Sequence, residues 1–217
     1  MNAYTEQFDK ARKLREEGKY AASLKHYRKL EEGERLSPDQ HSELLYGLAV
    51  GYKETGETDL AVDYFRQALE RGRKREKRAD QAAALHQLGI IARERGDLDD
   101  AITCFRDELA VWNSHMEGYF NGLSSNFYQQ GITLMEKGEY TDARMYLNHS
   151  FTFADTEDNY YRQGCALQAL GQLEMKLNKR KIALRTLRHA YTNFKKDDNK
   201  EGVNAVLALI REYEEKH

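Results

Sequence analysis

Proline is nearly missing from this sequence: Pro38 stands alone among 217 residues. Strands and tight turns need Pro and Gly as punctuation, so this scarcity favours helix almost throughout. Cysteine is scarce too. Cys104 and Cys165 are too few for a disulfide framework, which points to a reducing compartment. No apolar run approaches bilayer length, and the N-terminal MNAYTEQFDKARKL lacks the apolar core of a signal peptide. A soluble, cytoplasmic protein is therefore expected, with no membrane partner. Charge of one sign is not in excess either. The 34 basic and 36 acidic residues leave a formal net charge of −2, which argues against a general attraction to nucleic acid. No phosphate loop, Gly-x-Ser-x-Gly elbow or His-Glu-x-x-His motif occurs, and neither Cys has a companion at zinc-finger spacing. The expectation is a protein that is not an enzyme and holds no metal or cofactor.

What the sequence does have is repetition. Residues 45–68 read as two amphipathic helices packed back to back, with Leu45, Leu48, Ala49 and Tyr52 on one face and Ala61, Phe65 and Ala68 on the other helix. Gly56 stops the first helix by allowing a left-handed backbone. The same markers recur five times. A small residue opens each second helix, at Ser23, Ala61, Ala101, Ala143 and Ala183, with intervals of 38, 40, 42 and 40 residues. Four positions later stands a bulky residue: Tyr27, Phe65, Phe105, Leu147 or Leu187. Five positions before it stands a turn residue: Gly18, Gly56, Gly96, Gly138 or Asn178. Seven positions before each turn residue lies another small one: Ala11, Ala49, Gly89, Gly131 or Gly171.

This pattern resembles the tetratricopeptide repeat, a helix–turn–helix unit of the form L-G-x2-Y followed by A-x3-F. Leu48-Ala49-x2-Tyr52 with Ala61-x3-Phe65 matches it most closely, and Leu88-Gly89 with Ala101-x3-Phe105 comes next. The period departs from the usual length of about 34 residues, and the Pro that commonly ends a repeat is missing. Longer repeats without that Pro resemble those of Rap-type peptide-sensing regulators and kinesin-light-chain-like adaptors. The resemblance implies an all-α fold, a right-handed α-solenoid (superhelix) of about five helix pairs plus a C-terminal capping helix. One domain over residues 1–217 is expected, with repeats at about 4–35, 42–75, 82–115, 124–156 and 164–197.

Along the chain, the first pair is expected over about residues 3–17 and 19–32. Ser37-Pro38-Asp39-Gln40 has the form of a capped helix start, with Gln40 placed to complete a capping box. The run RGRKREKR at 71–78 reads either as a nucleic-acid or import-receptor contact or as a solvated helix end. It contains no interleaved aromatic residue for base stacking. Gly118 and Gly122 loosen the pattern within the longest interval, where a longer loop or a bend is expected. Asp198 to Glu201 would cap a last helix over about residues 199–216, carrying Val203, Val206, Leu207, Ile210 and Tyr213 on one face. That helix shields the end of the stack or forms a homodimer contact.

By the resemblance, the first helix of each pair lines a concave groove, and the groove residues keep fixed offsets from the small residue. These are Phe8, Tyr46, His86 and Tyr128; then Gly47, Gln87 and Gln129; then Arg12 and Ile132; then Lys53 and Arg93. Rings would bury side chains of a bound segment, amides would bond its backbone, and cations would hold its acidic groups. The alternative is that these cations solvate helix ends, since Lys53 and Arg93 are each followed by Glu. The resulting expectation is a non-catalytic module whose partner is a protein or short peptide. Alternatives are a peptide-responsive regulator of the Rap type and a self-assembling structural protein, monomer and homodimer both remaining open.

Overall fold

The structure, a computed structural model, describes residues 3–32, 36–113 and 115–215. The end of the first expected repeat and the last histidine, His217, lie outside the described residues. Among them the chain forms eleven helices and no strand: α1 (Ala3–Glu16), α2 (Tyr20–Glu31), α3 (Pro38–Glu54), α4 (Thr58–Lys74), α5 (Arg78–Arg95), α6 (Leu98–Val111), α7 (Tyr119–Lys137), α8 (Tyr140–Thr156), α9 (Tyr160–Lys176), α10 (Arg180–Lys196) and α11 (Lys200–Glu215). None of them is long and apolar enough to cross a membrane.

The turns follow the left-handed positions read from the sequence. Gly18, Gly56, Gly96 and Gly138 all have positive φ, and Asn178 joins them at 56°. At Gly56 the amide bonds back to the Lys53 carbonyl, and the Glu57 amide bonds back to that of Tyr52. Two otherwise orphaned carbonyls at the helix end are thereby satisfied. The turns between pairs use the same device with less suitable residues: Glu76, Asp158 and Asp198 have φ of 54°, 50° and 55°. At the N-terminal side of α3, Ser37 and Gln40 form the expected capping box. The last helix departs from expectation. Asp198 occupies the left-handed turn, so Asn199, not Asp198, caps α11, its side chain accepting from the Gly202 amide at 2.6 Å.

Packing divides the chain into two compact units, Met1–Arg95 and Gly96–His217. The boundary falls in the turn between α5 and α6, so the third expected pair gives its first helix to one unit and its second to the other. In the first unit the pairs α1/α2 and α3/α4 pack as hairpins and α5 lies against α4. Its core is built from Phe8, Ala11, Tyr27, Leu48, Ala49, Phe65 and Ile91. In the second unit α6 packs on α7, the hairpins α7/α8 and α9/α10 stack, and α11 covers α10. Its core contains Leu134, Leu147, Leu170, Leu173, Leu187, Phe194 and Val206.

Small residues set how closely the helices approach. Ala61, Ala101, Ala143 and Ala183 are completely buried. Ser23 fills the same place in the first hairpin, and its hydroxyl donates to the Ala11 carbonyl at 2.8 Å, so the extra polar atom is satisfied. Between α7 and α8, Ser124 and Ser150 each donate to the other's carbonyl, at 3.0 and 2.9 Å. In the loosened stretch α6 ends at Val111 and α7 begins only at Tyr119. There Gly122 lies flat against the Trp112 indole, where a Cβ would overlap the ring.

Candidate functional site

In the first unit a cleft of about 560 Å³ opens beside α1, α3 and α5. Tyr46 of α3 is its central ring, with Arg15, Glu43, Asp39, Lys77 and Asp80 around it. The Tyr46 ring is braced from within the core by the edge of Phe65, 5.6 Å away at 71°. It also makes two polar contacts. The Arg15 guanidinium lies 5.7 Å from the ring centroid, a cation–π distance, and the hydroxyl shares a hydrogen bond with the Gln87 side chain of α5. Burial raises the Tyr46 pKa above the ordinary phenol value, so the ring stays neutral beside its cation.

Two of the three acidic groups of the cleft, Glu43 and Asp39, already have partners. Arg12 grips Glu43 through Nε and Nη2 at 2.9 and 2.7 Å, a forked pair that raises the Arg12 pKa further. Arg75 holds Asp39 at 2.6 Å and keeps its carboxyl below the usual range. Arg15 and Lys77 have no ion-pair partner among the described residues. Two open cations, Arg15 and Lys77, thus stand against the single carboxylate of Asp80, and Arg15 is set next to an aromatic face.

The expected site residues meet different fates. Tyr46 and Gln87 are brought together as above. Phe8 is a correction: it is buried in the first core, its ring edge-on to Tyr27 at 6.4 Å, so no ligand reaches it. The reason is that α1 opens the unit and turns this position inward under Tyr27. Arg12 is spent on Glu43, and Lys53 pairs with its neighbour Glu54 at 3.1 Å, as the helix-end alternative required. His86 and Arg93 are half-buried on α5. In the second unit Tyr128, Gln129 and Ile132 share α7. Tyr128 and Ile132 lean on the core from partly exposed positions, and the Gln129 side-chain oxygen is buried without a hydrogen-bond partner. Among the described residues no cluster of His, Cys, Asp or Glu has the makings of a metal site.

Two residues beside the cleft meet in a way that spacing within one helix does not reveal. Gly47 occupies an offset assigned to the groove, yet it is buried because the Tyr27 ring crosses it; a Cβ there would overlap that ring. Tyr27 itself is fully buried and its hydroxyl finds no hydrogen-bond partner. Burial pushes the Tyr27 pKa up to about 12, with Arg15 opposing the shift. The folded state therefore keeps the phenol proton to higher pH than the unfolded chain, whose tyrosines titrate near pH ~10. The stability this contributes is intact below that pH and is lost as pH rises towards about 12. Tyr27→Phe should flatten the fall of the urea midpoint across this window and leave neutral-pH stability equal or higher, since no satisfied bond is lost. Parallel alkaline profiles for wild type and variant would contradict the assignment.

Residues 40–114 match the tetratricopeptide repeat family. Photosystem I assembly protein Ycf3 of Prochlorococcus marinus (strain MIT 9303) is 32% identical over 115 residues, which cover 48% of this chain and 61% of that protein. The chain thus spans less than two thirds of the length of such curated relatives. Among solved structures, the Rap conjugation gene regulator of plasmid pLS20, in complex with the Phr* peptide, superposes with a TM-score of 0.80 at 18% identity, over 99% of this chain and 59% of that one. A Podosopora anserina protein with nearly identical TPR-like repeats of the kinesin light chain type gives a TM-score of 0.65 at 14% identity, over 89% of this chain and 95% of that one. At these identities the likeness establishes the fold. Residues 40–114 match the tetratricopeptide repeat, and the chain has the all-α solenoid fold of these solved structures.

Proposed function

We propose that this chain is a non-catalytic, cytoplasmic protein-interaction module that holds a short peptide segment in the cleft beside α1, α3 and α5. The observation that carries the reading is the Tyr46 ring, open to the cleft, with the Arg15 guanidinium over it and the Gln87 amide on its hydroxyl. Such a group offers a face for an apolar side chain, an amide for a backbone group and a cation for a carboxylate. Tyr128, Gln129 and Ile132 give the second unit a similar set of ring, amide and aliphatic groups on α7. The shared fold with a Rap regulator solved with its peptide supports a peptide ligand over a folded partner.

The test is a display selection of random peptides on the full chain, followed by affinity measurement with variants. Tyr46→Ala and Arg15→Gln should each weaken a selected peptide by about tenfold or more, the range of an interface hot spot. Melting curves identify any variant that loses its fold. Selected peptides that bind both folded variants as tightly as wild type would remove the cleft as the site.

A further inference from the structure

The basic run at 71–78 is only partly consumed by the fold. Arg75 ties down the start of α3 through the Pro38 carbonyl, the Ser42 hydroxyl and Asp39. Arg71 adds one bond from Nη2 to the same Pro38 carbonyl at 2.9 Å. This replaces the solvated helix end with a stitch between α4 and α3. It leaves a second concavity, of about 430 Å³, along the outer rows of α4. Its walls are Arg66, Glu70 and Lys74 in one row and Gln67, Arg71 and Arg75 in the other, with Leu45 of α3 also lining it. Residues four apart lie one above another on a helix, so the groove follows the helix axis for two turns.

The charges in this groove are out of balance. Four cations stand against the single carboxylate of Glu70. Lys74 meets Glu70 only at 3.3 Å with both side chains mostly exposed, an arrangement of little worth. Arg66 has no ion-pair partner among the described residues. Arg71 is bonded to a neutral carbonyl, and its Nε–H is buried without a hydrogen-bond partner. Arg66 and Lys74 stitch nothing to another helix. Leu45 and the aliphatic stems of the long side chains supply an apolar lining between the charges.

We propose that this groove on α4 is a second docking surface, separate from the Tyr46 cleft, and that its occupant is an acidic peptide segment carrying an apolar side chain. Carboxylates on the segment meet Arg66, Arg71 and Lys74, and its apolar residue lies on the aliphatic stems of these side chains, over the small exposed part of Leu45. Arg66 and Lys74 are eight residues apart on α4, or ~12 Å along its axis. An extended segment spans that distance in about four residues, so carboxylates at that spacing reach both. Nucleic acid fits less well: the groove lining offers no aromatic ring for base stacking, and the chain as a whole is negatively charged.

The test uses the full chain and a fluorescein-labelled peptide rich in Asp and Glu with one Leu, read by anisotropy. The same peptide with Asn and Gln in place of the acids, and a single-stranded DNA oligonucleotide of matched charge, serve as competitors. The acidic peptide should bind, weaken with added salt and outcompete both. Arg66→Glu/Lys74→Glu should lower its affinity by about tenfold or more, and Arg66→Gln/Lys74→Gln by less. Both pairs are exposed, and melting curves establish that the variants fold. Arg15→Gln, in the other cleft, should leave the affinity unchanged. Four results would overturn the proposal: no binding at millimolar peptide, equal affinity for the charge-reversed variant, loss of binding in Arg15→Gln, or tighter binding of the oligonucleotide.

Discussion

Asn126→Ala should destabilise the second unit by about 3 kcal/mol, the cost of stripping partners from several buried polar groups, one of them charged. Asn126 of α7 is completely buried. Its amide nitrogen donates to the Phe105 carbonyl and to Glu108 Oε2, both at 2.7 Å, and its oxygen accepts from Gln130 Nε2 at 2.6 Å. Glu108 is almost fully buried on α6 and accepts from the Trp112 indole at 3.2 Å. Alanine would take one partner from each of three groups that water cannot reach. The protein supplies its own probe, because Trp112 is the only tryptophan and belongs to this network. Urea unfolding followed by tryptophan fluorescence should show the midpoint falling steeply in the variant. Asn126→Asp should do no better, since a second carboxylate would face Glu108. A loss below ~1 kcal/mol would mean that the network is peripheral to stability.

Phe194→Ala should cost about 3–5 kcal/mol, as expected when a large ring leaves a closed core. The ring of Phe194 lies across two backbones at once: a Cβ at Gly164 of α9 or at Gly202 of α11 would overlap it. Tyr161 stands 6.2 Å from it. Removing the ring empties the seam that holds α11 to α9 and α10, and neither glycine can fill the space. The effect should therefore be uneven. Hydrogen exchange in α11 should accelerate more than in the α7/α8 hairpin, which is held by its own Ser124–Ser150 bonds and by Leu147 packed on Gly131. Phe194→Leu should recover most of the stability. Unchanged protection of α11 in Phe194→Ala would show that the helix is held elsewhere.

The repeat was legible because its markers are short-range. A left-handed turn residue, a small residue five positions on and a bulky one four further are fixed by one hairpin's own geometry. Thus Tyr27, Phe65, Phe105, Leu147 and Leu187 are all completely buried, and all five turn residues have positive φ. The site was legible only in part. Tyr46 and Gln87 follow from their offsets, but their meeting across α3 and α5 depends on the register between hairpins. Phe8 and Gly47 went astray for a related reason. Both keep a groove offset, yet Tyr27 of α2 crosses over each of them, and no periodicity within one helix reveals that. Arg12 was read as a ligand contact because its partner Glu43 is 31 residues away. The Asn126–Glu108–Gln130 network had no signature, since polar residues at these positions read as helix surface until their burial is known.

The ionic ties between successive helices have a mechanical consequence. Arg75 reaches back 36 residues to Asp39, Arg95 reaches 36 to Asp59, and Lys137 reaches 38 to Asp99. Each links the end of one first-of-pair helix, or the helix before it, to a helix start about one repeat earlier. Such a chain closes only short loops as it folds, which favours rapid formation. Under tension applied at its ends it should peel one hairpin at a time, in a sawtooth of small force drops, instead of failing in a single event.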